Sequence, residues 1–150
     1  MSTDNPESIE FISGPSTVEE YIEHVNARSK ESLEINEHNL RLIDEGDTEL
    51  EFAYTNRDTL VRMIESDKNR LQLTETAMRE FSSGNIEPAA SIIRQDINYY
   101  NQAINQSFYR AGISEDEPQK EVYMQMGRNF IKELNILRNI YQQGTGNPIE

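Results

Sequence analysis

His24 and His38 are the chain's two imidazoles, and each follows a glutamate by four residues: Glu20-x-x-x-His24 and Glu34-x-x-x-His38. Side chains four apart share a helix face, so each pair could offer a carboxylate and an imidazole to a metal ion. At about 100° per residue, Glu20, His24, Glu31, Glu34, His38 and Glu45 fall within about 80° of one another. Val18, Val25, Leu40 and Ile43 centre roughly opposite, so the histidines are expected to face solvent, with Ile35 and Leu42 near their edge. A di-iron carboxylate bundle needs Glu-x-x-His on core-facing positions of two helices. Here the spacing and the face both differ, and no second helix carries a histidine. The expectation is solvated charge, with no resident metal or other cofactor.

Nucleophilic chemistry finds as little support. The chain has no Cys, which removes disulfides, thiolate ligands and a cysteine nucleophile. There is no Gly-x-Ser-x-Gly, and a Ser–His–acid triad would have to recruit a histidine from a solvent face. Gly144-Thr145-Gly146 follows a helix and lacks the lysine of a phosphate loop. No enzyme is expected.

Charge says more. The net charge is −13. Residues 1–60 hold 15 acids and 4 bases, and residues 61–150 hold 12 acids and 10 bases. The excess acid is concentrated in the first part of the chain. Glu20, Glu23, Glu31, Glu34, Glu37, Asp44 and Glu45 make the densest acidic surface. Such a surface repels nucleic acid and anionic membranes, so direct nucleic-acid binding is not expected; it favours a basic protein partner. No run of about 18 apolar residues exists, so membrane insertion is not expected. The first residues lack the basic and apolar regions of a cleaved secretory signal. A cytoplasmic location is expected, with export lacking a cleaved signal as the alternative.

The elements that would position these residues are helices. Tyr123, Met126 or its neighbour Gly127, Phe130, Leu134, Leu137 and Tyr141 recur at steps of three and four, which makes an apolar stripe on an α-helix and fits no strand. Three other segments repeat the pattern. The first helix should start at Ser16, where Ser16-Thr17-Val18-Glu19 reads as a capping box, and end at Gly46. Between Val25 and Leu33 it offers only Ser29 to its apolar face, which implies thin packing or a bend. The second should run from about Asp47 to Phe81, with Leu50, Ala53, Tyr54, Leu60, Val61, Ile64 and Leu71 on one face. Phe52, Met63, Leu73, Ala77 and Phe81 fall on another, and a break near Asn56 would make two helices of one. The third opens at Glu87-Pro88 and ends at Gly112; the fourth, capped by the Ser114–Pro118 stretch, runs to Gln143. The fold class is therefore all-α: a four-helix antiparallel up-down bundle, or five helices if the second breaks. The bundle should span residues 16–143, between flexible tails at 1–15 and 144–150. Ile9, Phe11 and Ile12 form a small apolar patch in the first tail.

Five of the seven tyrosines lie in the last two helices. Ile92, Tyr99 and Tyr109 fall off the main stripe of the third helix, and Tyr123 and Tyr141 lie on the fourth. Tyrosine combines apolar area with a polar tip and is enriched at interfaces, so these five are the candidate partner-binding residues. The function expected is a non-enzymatic protein–protein interaction module, a small acidic chaperone, adaptor or secreted effector that takes a partner helix on an apolar seam of helices 3 and 4. The alternatives are an acidic DNA mimic that blocks a DNA-binding protein, and a self-assembling structural component of a virion or secretion apparatus. A homo-oligomer through the same seam competes with an outside partner.

Overall fold

The structure, a computed structural model, describes residues 14–46 and 57–147. These residues form four α-helices and no strand: α1 (Val18–Asp44), α2 (Arg57–Ser82), α3 (Glu87–Ile113) and α4 (Glu117–Thr145). This is the all-α, four-helix class that the periodicity predicts. Ile9, Phe11, Ile12, Leu50, Phe52, Ala53, Tyr54 and the expected break at Asn56 lie outside the described residues.

The helix ends are set by side chains that satisfy the orphan amides of a first turn. The cap of α1 sits one residue later than Ser16. Thr17 Oγ1 accepts from the Glu20 amide at 3.1 Å, and Glu20 Oε1 accepts from both the amide and the hydroxyl of Ser16 at 2.9 Å. Thr17 and Glu20 thus form the capping pair, because the helix starts at Val18 and Glu20, not Glu19, is its third residue. At α4 the cap is Asp116, whose carboxylate accepts from the Gln119 amide at 3.3 Å. That helix runs two residues past Gln143, to Thr145. It stops where Gly146 adopts φ 77°, a left-handed conformation that glycine takes without a Cβ clash. α3 likewise passes Gly112 and ends at Ile113.

The chain divides into two compact units, Met1–Tyr21 with Ala89–Glu150 and Ile22–Pro88. In the first, α3 and α4 form an antiparallel hairpin. Arg94 near the start of α3 bonds Tyr141 near the end of α4, and Arg110 near the end of α3 covers Tyr123 near the start of α4. Ile93, Ile97, Ala111, Leu134 and Leu137 are buried along it, and the first turn of α1 adds Val18 and Tyr21.

In the second unit α1 and α2 are also antiparallel, but polar groups hold their middle. Asn26 donates to Thr74 Oγ1 at 2.8 Å, and Thr74 donates onward to the Leu71 carbonyl at 3.0 Å. Asn26 and Thr74 are buried, as are Ser29 and Asn36. Ser32 and Asn36 both donate to Asp67 Oδ2. Apolar burial concentrates at Ile22, Val25 and Ala77 on one side of these bonds and at Ile43, Leu60 and Ile64 on the other. The stretch expected to be thinly packed is therefore packed by amides and hydroxyls. Met63 and Leu73, expected on a second buried face of α2, are exposed.

Candidate protein-interaction surfaces

The α3–α4 hairpin is brought close by one small residue. A Cβ on Gly127 would stand 2.6 Å from the Phe108 ring, so only glycine lets that ring lie against α4. Gly127, not Met126, therefore takes the core position of the α4 stripe, and Met126 turns out to 40% exposure. Beside it, Tyr100 packs on Phe130 with ring centroids 5.9 Å apart, and Tyr99 meets Tyr100 edge-on at 5.6 Å. Burial, then the Glu133 carboxylate that the phenol bonds, push the Tyr100 hydroxyl well above its ordinary ionisation range. Tyr21 of the first α1 turn donates to the Asp96 carboxylate in the same unit, a buried pair.

Of the five tyrosine-seam residues, two belong to the core. Ile92 is 3% exposed and Tyr141 8%, and Arg94 bonds the Tyr141 hydroxyl at 3.0 Å. Ile92 is thus interior although it lies off the main stripe of α3. Tyr123 is half-buried with the Arg110 guanidinium over its ring. Tyr99 and Tyr109 are exposed, at 62% and 67%. Ten residues separate them, about 80° around the helix, and Tyr109 lies about 100° from Ile92, outside the line that Ile92 and Tyr99 share.

A different pair of stripes emerges. Ile92, Asp96, Tyr99, Ala103, Gln106 and Arg110 follow one another on α3 at alternating steps of four and three, and Val122, Met126, Asn129, Glu133, Leu137 and Ile140 follow one another on α4 at steps of three or four. On both helices the stripe is buried at the end nearest the α1 turn, at Ile92, Asp96, Leu137 and Ile140, and open at the other. Val122 is 57% exposed. Sequence reading missed this surface because Val122 lies off the main apolar stripe of α4, and Met126 was counted into the core stripe. The repeat itself was the available signal.

The acidic side chains along α1 and just past its end lie mostly at the surface. Glu20, Glu23, Glu31, Glu34, Asp44 and Glu45 are exposed and Glu37 is half-buried. Two of the seven are locally engaged: hydrogen bonds from Ser16 hold the Glu20 carboxyl below its usual range, and the Arg57 guanidinium, 2.7 Å from Asp44, does the same there. Glu37 and Glu65 join Arg41 and Lys68 around a shallow cleft of about 300 Å³ floored by Leu40, Val61 and Ile64. Its rim carries two charges of each sign, so it favours neither acidic nor basic ligands.

His24 corrects another expectation. It is half-buried, not solvent-facing, and its pKa falls below 6.5 through burial first and the nearby Arg28 charge second. The two histidines lie fourteen residues apart on one helix, about 21 Å along its axis, and cannot share an ion. Among the described residues, no group of three or more His, Cys, Asp and Glu is placed to hold a metal. No helix among them is long and apolar enough to cross a membrane.

The chain matches no family model, no curated protein and no solved structure. The surfaces themselves therefore carry the functional reading.

Proposed function

We propose that this chain is a non-enzymatic protein–protein interaction module, an acidic helical adaptor or chaperone with two working surfaces. The first is the open end of the α3–α4 stripes, where Tyr99, Val122 and Met126 offer apolar area to a partner helix. The second is the acidic face of α1, which attracts and orients basic partners. The observation that carries the reading is the exposure of Val122 and Met126 on one helical edge, in register with residues that are interior further along. An amphipathic helix buries residues of that spacing in a groove. The acidic face adds encounter rate and selectivity more than affinity.

The experiment is capture from the native cell lysate by the immobilised chain at low and at high salt, with Val122→Glu and Glu31→Lys/Glu34→Lys variants alongside. A partner held at high salt and lost in Val122→Glu supports the reading. A DNA-binding partner held only at low salt, and lost in the Glu→Lys variant, replaces it with mimicry of DNA, because exposed charge pairs are screened beyond about 10 Å at 0.1 M salt.

A further inference from the structure

Resting on that reading, we propose that the occupant of the open α3–α4 edge is the same edge of a second copy, related by a two-fold axis. A two-fold interface sets a patch against itself. A patch of one charge sign then faces its own sign and is repelled, and with a net charge of −13 the chain meets that obstacle over much of its surface. The open edge avoids it. Between Tyr99 and Gln106 on α3, and between Val122 and Asn129 on α4, its stripe residues are Tyr, Ala, Gln, Val, Met and Asn, all uncharged. Amides such as Gln106 and Asn129 both donate and accept, so each can pair with its own copy.

The charges at the ends of the edge are opposite in sign. Arg110 lies over Tyr123 at the hairpin tip, and Glu133 lies beside Tyr100 ten residues further along α4, about 15 Å away. A two-fold axis through the middle of the edge exchanges its ends. It therefore brings Arg110 of each copy toward Glu133 of the other, while Asn129 falls nearest the axis and Met126 lies about 3 Å from it along the helix. Complementary ends and a self-compatible centre are what an isologous dimer requires.

Light scattering and sedimentation equilibrium on the full chain test the proposal. A dimer with Kd at or below about 100 µM is expected. Met126→Lys sets two like charges across the axis and should raise Kd at least about tenfold, and Arg110→Glu should weaken the dimer less. Tyr109→Lys, on another face of α3, should leave Kd unchanged. These positions are exposed, and circular dichroism checks that each variant keeps its helix content. A chain that stays monomeric at that concentration overturns the proposal, as does a dimer that Tyr109→Lys weakens and Met126→Lys does not. A monomer that captures a foreign helix through Val122 and Met126 overturns the second copy but leaves the interaction module standing; a monomer that captures nothing there overturns both.

Discussion

Asn36 of α1 donates to Asp67 Oδ2 of α2 at 3.0 Å, and Ser32 donates to the same oxygen at 2.9 Å. With Asn26 and Thr74 one helical stretch away, these bonds fix which residues of α1 stand opposite which residues of α2. An apolar seam tolerates sliding by a turn; a seam of matched donors and acceptors does not, because a slip leaves buried polar groups unpaired.

The seam predicts an asymmetry between single and paired substitutions. Asn26→Ala removes a donor, loses buried contacts and leaves Thr74 Oγ1 without it, which should cost about 1–3 kcal/mol. Asn26→Leu with Thr74→Val removes both polar partners and should fall within about 1 kcal/mol of wild type or exceed it. Urea unfolding followed by circular dichroism measures both. Equal losses in the two variants would refute the polar-seam account.

Gly127→Ala is the sharpest packing test. Alanine gains about 1 kcal/mol of helix propensity over glycine. Its Cβ, however, would enter the Phe108 ring at 2.6 Å, and forcing the ring aside should cost about 1–3 kcal/mol. Net destabilisation is expected, with partial rescue when Phe108→Leu is added, because the two sites share one contact. A more stable single variant would show that the ring moves freely.

The all-α class and the four helices of the described residues were legible in the sequence, since those follow from the 3.6-residue period. Three features were not. The α1–α2 seam keeps the helical spacing, with Asn26, Ser29, Ser32 and Asn36 on one helix and Asp67 and Thr74 on the other, but an apolar count skips such residues. The core role of Ile92 was hidden because it lies off the main stripe of α3, and a stripe does not say which other faces of a helix are covered. Met126 and Gly127 are adjacent, and a stripe alone cannot say which faces inward; the approach of Phe108 decides it.

Tyr100 predicts a loss of stability in alkali. Burial and then Glu133 raise its folded-state pKa, so the folded protein keeps the phenolic proton where the unfolded chain, titrating at about 10, gives it up. Stability is therefore fully present below about pH 10 and falls as pH rises above it. Tyr100→Phe should flatten that fall. Denaturant unfolding of both proteins from pH 8 to 11, with tyrosinate absorbance recorded in parallel, checks the sign. An equal slope in wild type and variant would remove Tyr100 as its source.

His24 predicts the opposite trend at the acid end. Its half-buried ring and the neighbouring Arg28 disfavour the imidazolium, so the folded pKa lies below 6.5 and the unfolded chain takes up the proton first. The stability that His24 contributes is present above pH 6.5 and is lost as pH falls through its folded pKa. The ring proton shifts of His24 in a nuclear magnetic resonance titration should place its midpoint below the ordinary histidine value, and Arg28→Gln should move that midpoint back upward. The Arg28 charge is the second cause, so the return should be partial, with burial holding the remainder. A midpoint at or above 6.5 in the wild type would mean that the ring is fully hydrated in solution and that this part of α1 is looser than the structure has it.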